Sequence, residues 1–180
     1  MKLRNLVLGL GVAALSLSAS AMAEPTISEQ GIAGVQKQVR HELNMLPYAN
    51  VFDYMTFTVD ENGTVTLNGE VTNPALKSDA GNVVKKVEGV EHVDNKIQVL
   101  PLSFFDNGLR ARLYRSIYGY GPLQRYAMGL DKPIRIIVAN GHVTLLGVVD
   151  NNADKILAGM RANTVPGIFS VDNQLMVVKG

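Results

Sequence analysis

Hydrophobic positions recur along this chain with two different periods, and each change of period marks a passage from helix to strand. Val35, Val39 and Leu43 follow one another at four-residue steps after Ser28, a candidate N-cap, which predicts a helix with one apolar face. From Tyr54 onward apolar and polar residues alternate, which is typical of a half-buried strand. The chain therefore opens on a helix that is followed by a strand.

The next segments complete one structural unit. An Asn62-Gly63 turn, where positive φ is tolerated, predicts a tight hairpin into a second alternating strand. Asn73 before Pro74 predicts the start of a helix, and a last strand follows Gly89. Because a strand-helix-strand crossover is parallel and right-handed, we predict an α+β unit of order α-β-β-α-β, with a three-stranded mixed sheet and two helices on one face.

The same pattern occurs twice. Residues 62–99 match residues 140–177 without a gap, and about half of the positions are identical. We predict two tandem units, at 24–100 and 101–180. The turn and close-approach positions shared by the copies are Asn62, Gly63, Gly69, Gly89, Asn140, Gly141, Gly147 and Gly167.

The first residues read as an export signal. Lys2 and Arg4 precede an uncharged apolar run, and Ala21-Met22-Ala23 fits a cleavage site, so residues 1–23 are predicted to be a signal peptide. The run is shorter than the roughly 20 residues of a spanning helix. With no cysteine in the chain, neither a lipid anchor at the cleavage site nor a disulfide can form, and we expect a soluble periplasmic product.

Charge is distributed unevenly between the two copies. Residues 24–100 hold 6 basic and 11 acidic side chains, whereas residues 101–180 hold 9 basic and 5 acidic ones. The mature chain is close to neutral, which together with export argues against a nucleic-acid partner. The asymmetry indicates either a basic partner-binding surface or docking of one unit on the other.

The second copy is about eight residues longer before its hairpin, within 118–130, where glycines and Pro122 predict a turn and a short helical piece. The connector that precedes it, about Leu100 to Asn107, is expected to pack rather than flex. Arginine forks suit phosphate groups, and tyrosine suits a membrane interface. The candidate lipid-binding residues are Arg110, Arg112, Tyr114, Arg115, Tyr118, Arg125 and Tyr126.

The motif Asn-Gly-x-Val-x-Leu-x-Gly-x-Val, followed some twenty residues on by Gly-Val/Ile-x-x-Val and present twice, resembles the BON domain (bacterial OsmY and nodulation). The resemblance covers nearly the whole chain after residue 23. It implies a small non-catalytic module of the bacterial envelope, associated with phospholipid binding and with tolerance of osmotic or envelope stress. The basic, tyrosine-rich insertion has no role in the family pattern.

No motif for an enzyme, a cofactor or a metal stands out. The three histidines are scattered, and no pair of carboxylates has a spacing that implies general acid-base chemistry. We therefore expect no catalytic residue, no cofactor and no metal. The leading hypothesis is peripheral contact with anionic phospholipid; the alternatives are docking on an envelope protein or secretion assembly, and a purely structural role for the basic cluster.

Overall fold

The computed structural model describes residues 28–129 and 132–178, so the predicted signal peptide lies outside the described residues. The first unit consists of α1 (Glu29–Asn44), β1 (Tyr54–Val59), β2 (Thr64–Val71), α2 (Pro74–Val84), β3 (His92–Asn95) and β4 (Gln98–Val99). The second consists of α3 (Phe104–Tyr118), a 3-10 helix (Gly121–Ala127), β5 (Ile134–Ala139), β6 (His142–Val149), α4 (Asn152–Asn163), β7 (Ser170–Asn173) and β8 (Met176–Val177).

Helix α1 forms where the four-residue apolar spacing predicts it. The Ser28 hydroxyl accepts a hydrogen bond from the Gly31 amide, which satisfies one of the free donors of the first turn. Val35, Val39 and Leu43 are the buried face of the helix. Helix α2 likewise starts after an Asn73 cap, and each pair of helices packs on one face of its sheet.

The predicted α+β topology is confirmed in both units. β1 pairs antiparallel with β2, and β2 pairs parallel with β3 and β4. The predicted third strand is divided, because the Asn95 side chain donates to the Lys77 carbonyl of α2 at 2.8 Å and accepts from the Ile97 amide at 3.2 Å. Ile97 is thereby directed into the core, where it is fully buried.

The two hairpins turn differently although both contain Asn-Gly. Asn140 and Gly141 both have positive φ, 52° and 80°, as a two-residue turn requires. In the hairpin turn of the first unit Gly63 has positive φ but Asn62 does not, so Asn62 lies in the predicted turn without the positive φ expected there. That turn is longer by one residue, and the Asp60 carboxylate accepts from two of its amides, those of Asn62 at 3.0 Å and Thr64 at 2.7 Å.

Glycine is required inside the second strand of each unit. Gly69 and Gly147 have φ of 126° and 110°, and a Cβ on either would overlap the carbonyl of the neighbouring strand, at Tyr54 or Pro133. The two edge strands therefore approach β2 and β6 more closely than a side chain would permit.

The two units have separate cores, and Val51 and Phe52 of the first unit pack against the core of the second. Val51, from the loop before β1, is buried in the core of the second unit. Its carbonyl accepts a hydrogen bond of 2.9 Å from the Ile136 amide of β5, and Arg135 donates to the Asn50 carbonyl at 3.0 Å. The first unit thus lies against the free edge of the second sheet.

Candidate functional site

Arg110, the first of the candidate cations, lies inside the second unit. It is 5% exposed, and its guanidinium donates to the Val138 carbonyl at 2.5 Å and to the Asn107 side chain at 2.6 Å. Burial lowers the pKa of Arg110, an effect that the charges of Asp106 and Asp53 oppose. The guanidinium therefore links α3 to β5 through its hydrogen bond to Val138, and it is not available to a ligand at the surface.

Asp106 is a further buried charge of α3, and sequence reasoning did not single it out. Its two carboxylate oxygens accept from the Asn140 amide at 2.9 Å and the Gly141 amide at 2.8 Å. The hairpin of the second unit is therefore held by a helix side chain. Asp106 precedes Arg110 by one helical turn, and this spacing is a sequence signal that could have drawn attention to Asp106.

Two of the candidate tyrosines are also structural. The Tyr118 hydroxyl donates to the Ile134 carbonyl at 2.5 Å and accepts from the amide of the same residue at 3.2 Å. The Tyr126 hydroxyl donates to the Asp154 carboxylate at 2.7 Å and accepts from the Asp150 amide at 2.9 Å. Both side chains are buried, and burial raises the pKa of Tyr126.

Arg125 is exposed, but two carboxylates already neutralise it. Its guanidinium forms ion pairs with Asp150, at 3.1 Å, and with Asp154. The hydrogen bond to Asp150 is the main reason that the pKa of Arg125 lies above its ordinary value. Arg125 and Tyr126 thus fasten the predicted short helical piece, which is the 3-10 helix, to the start of α4.

Arg112 and Arg115 differ from Arg110 and Arg125, because neither is held by a carboxylate of the described residues or buried in the core. Arg115 is exposed, and within residues 28–129 and 132–178 its side chain forms no hydrogen bond or ion pair. Arg112 is half-buried and makes one long contact of 3.5 Å to the Pro166 carbonyl. Tyr114 lies at the junction of the units, with its ring 5.0 Å from that of Tyr118 and 6.4 Å from that of Phe52.

Apolar side chains are exposed near Arg112, at the start of α3. Leu102 is 96% exposed, Phe104 98% and Phe105 50%, so the expectation that the whole connector packs is wrong for this part of it. Ser103 caps α3 here, through an acceptor bond of 3.1 Å from the Asp106 amide, which fixes the direction in which the helix starts.

The loop before β7 extends this apolar surface. A Cβ on Gly167 would lie 3.2 Å from the Phe105 ring and 3.7 Å from the Arg112 guanidinium, so these three residues are neighbours. Phe169, two residues further on, is 71% exposed. We call the surface formed by Leu102, Phe104, Phe105, Arg112 and Phe169 the α3 edge.

The first unit has no such surface at the corresponding positions. Gly34 and Val35 correspond to Phe104 and Phe105, Glu42 to Arg112, and Glu91 to Phe169. Val35 is buried, whereas Glu91 is exposed. The two copies share a fold but differ in charge and hydrophobicity at this place.

The remaining features give little ground for catalysis or metal binding. A cavity of about 610 Å³ lies between the units, and its carboxylate, Asp53, already accepts bonds from the Asn50 amide and from the Thr72 amide and hydroxyl. Among the described residues no three His, Asp or Glu side chains converge where a metal ion could bind. No described helix is long and apolar enough to cross a membrane.

The fold and this surface define a duplicated α-β-β-α-β module whose second copy carries a distinct exposed edge. The family model of the BON domain matches residues 32–101 and 126–179. The chain belongs to the BON domain family, and it contains two such domains in tandem.

Two solved structures from Chlamydia trachomatis are similar to the chain. One is CdsD, described as a structural protein of the type III secretion system, with 16% identity, 82% of this chain and 93% of that chain covered, and a TM-score of 0.29. The other is the C-terminal domain of CdsD, with 16% identity, coverage of 79% and 96%, and a TM-score of 0.28. Because both TM-scores are below 0.5, the likeness carries no functional argument. No curated protein matches the chain.

Proposed function

We propose that this protein is a non-catalytic periplasmic module of the bacterial envelope whose second BON domain rests on anionic phospholipid. The observation that supports the proposal most strongly is the α3 edge, which combines exposed phenylalanines with Arg112. Arg115, on the same helix as Arg112, is also exposed. Large exposed apolar side chains grouped in this way are uncommon on a free protein surface and mark places of contact.

The chemistry of the edge fits a lipid head-group region. Phenylalanine side chains enter the boundary between head groups and acyl chains, and nearby cations are attracted to anionic phosphates, at roughly 1 kcal/mol for each cation near the surface. Fewer residues are available for lipid contact than the sequence suggests. Arg110, Tyr118 and Tyr126 support the fold, Arg125 is neutralised by carboxylates, and Arg112 and Arg115 carry the electrostatic part of the proposal.

Cosedimentation of residues 24–180 with liposomes tests the proposal. We expect binding to vesicles containing phosphatidylglycerol and little binding to pure phosphatidylcholine. The double variant Arg112→Ala/Arg115→Ala and the double variant Phe104→Ser/Phe169→Ser should each release most of the bound protein.

The matched control is Lys85→Ala/Lys86→Ala, which removes two exposed cations from the first unit. It should leave binding unchanged, since those lysines lie outside the α3 edge. Equal loss in all three variants, or equal binding to neutral and anionic vesicles, would contradict the proposal.

A further inference from the structure

The free edge of the second sheet is covered by a turn of the same chain, in which the Asp53 amide donates to the Asn50 carbonyl at 3.1 Å. Residues 50–53, which we call the docking segment, lie along β5, where the Val51 carbonyl accepts from the Ile136 amide at 2.9 Å. Val51 is 8% exposed in the core of the second unit, and the Phe52 ring meets Tyr114 of α3 edge-on. The turn therefore makes one backbone hydrogen bond to β5 and packs in the groove between that strand and α3.

The duplication places an equivalent groove on the first unit. Val59 lies opposite Val65 in the first hairpin, and Val138 lies opposite Val143 in the second, so Val59 and Val138 are equivalent. Two residues earlier in each strand, Phe57 therefore corresponds to Ile136. In the first unit this groove is open, with a volume of about 510 Å³. We call it the β1 groove, and it is lined by Gln36, Arg40, Leu43, Asn44, Met55, Thr56 and Phe57.

The backbone of β1 is oriented for the same type of bond. Leu67 of β2, which lies opposite Phe57, accepts on its far side from the Lys96 amide of the β3–β4 junction. In an antiparallel pair the N–H and C=O of one residue point to the same side, so the amide and carbonyl of Phe57 face away from β2, toward the open edge. The second unit repeats this arrangement, since Leu145 lies opposite Ile136 and accepts from the Gln174 amide. The amide of Ile136 therefore faces outward, and it donates to the Val51 carbonyl.

The side chains of the groove indicate what an occupant would carry. Leu43 occupies the position of Leu113, which belongs to the core that receives Val51. Arg40 corresponds to Arg110, on which the charge of Asp53 in the docking segment acts. Arg40 is exposed, with its guanidinium 5.8 Å from the centre of the Phe57 ring. These positions suit an aliphatic residue and, two residues later, a carboxylate.

The edge also lacks the usual protection against pairing. Exposed edge strands commonly carry Lys, Pro or another charge that discourages pairing, and β1, of sequence YMTFTV, has none of these. The docking segment of a second copy is held by that copy's own second unit, so it is not free to occupy the β1 groove.

We propose that the β1 groove binds a turn of a partner protein, with an aliphatic side chain toward Leu43 and an acidic one, two residues later, toward Arg40. A backbone hydrogen bond from the Phe57 amide, equivalent to the one that Ile136 donates to Val51, contributes affinity, and the two side-chain positions give specificity. The site lies on the first unit and is independent of the lipid contact proposed for the α3 edge.

The experiment is an NMR titration of residues 24–180 with a capped peptide that has the sequence of residues 49–54, Ala-Asn-Val-Phe-Asp-Tyr. We expect saturable shift changes at the amides of Arg40, Thr56 and Phe57. Arg40→Glu, or a lysine in place of the aspartate of the peptide, should weaken binding on the order of tenfold, about 1.4 kcal/mol. Lys85→Glu, an exposed charge reversal outside the β1 groove, should leave binding unchanged.

Three results would overturn the proposal. The first is the absence of shift changes up to millimolar peptide. The second is a set of changes confined to α3 and β5, which would mean that the peptide only displaces the docking segment. The third is a concentration-dependent change at Phe57 without peptide, which would assign the groove to a second copy of the chain.

Discussion

The amide of Ile136 donates a hydrogen bond of 2.9 Å to the carbonyl of Val51, and this bond joins a loop of the first BON domain to the edge strand of the second. The Val51 side chain enters the second core at the same place. The two domains are therefore connected through packing as well as through the short connector at 101–103.

Replacing Val51 should destabilise the second domain although Val51 precedes it in sequence. We expect Val51→Ala to lower the free energy of unfolding by about 1 to 3 kcal/mol, since it removes buried methyl groups and leaves a cavity. Denaturant unfolding would measure the change. Val99→Ala, at a valine that is 39% exposed, should change stability by less than about 0.5 kcal/mol. Equal effects of the two substitutions would show that Val51 adds nothing to the second core.

Asp106 should be essential to the hairpin of the second domain. We expect Asp106→Ala to cost about 2 to 4 kcal/mol, because the Asn140 and Gly141 amides lose a charged acceptor. Gln36→Ala is the control, since Gln36 is the exposed counterpart in the first domain, where Asp60 caps the turn instead. Thermal unfolding of both variants checks this, and an unchanged midpoint for Asp106→Ala would contradict it.

The close approach at Gly147 should exclude any side chain. Gly147→Ala places a methyl group against the Pro133 carbonyl at a φ of 110°, so we expect a loss of at least about 2 kcal/mol or failure to fold. Gly34→Ala is the matched control, because nothing lies within 4 Å of its position inside α1. That change should stabilise the protein by about 0.5 to 1 kcal/mol. A tolerated Gly147→Ala would mean that β5 moves away readily.

Stability should fall in alkaline solution through Tyr126. Its pKa is raised in the folded protein, so its contribution is fully present below the unfolded value of 10.0 and is lost as the pH rises through the folded value. Unfolding free energies measured between pH 8 and pH 11 should therefore decline less steeply above pH 10 for Tyr126→Phe than for the unmodified protein. Parallel profiles would contradict this role of the hydroxyl.

Much of the fold could be predicted from the sequence, because the apolar spacing and the turn residues act locally. The same helical spacing could also have distinguished the buried arginine of α3 from the arginines that lie nearer the surface. Arg110 shares the face of Leu109 and Leu113 and is buried, whereas Arg112 lies two residues further on and points elsewhere. The insertion of Val51 into the other domain could not have been predicted, since it depends on how two folded units meet and not on a local period.

A fluorescent reporter on the α3 edge tests the central proposal most directly. The chain contains no tryptophan, so Phe104→Trp introduces a single tryptophan at a position that is 98% exposed. We expect its emission to shift to shorter wavelength when phosphatidylglycerol vesicles are added, and to stay unchanged with phosphatidylcholine vesicles or with Gly34→Trp at the twin position of the first domain. No shift for Phe104→Trp, or the same shift at both positions, would contradict contact of the second BON domain with anionic lipid.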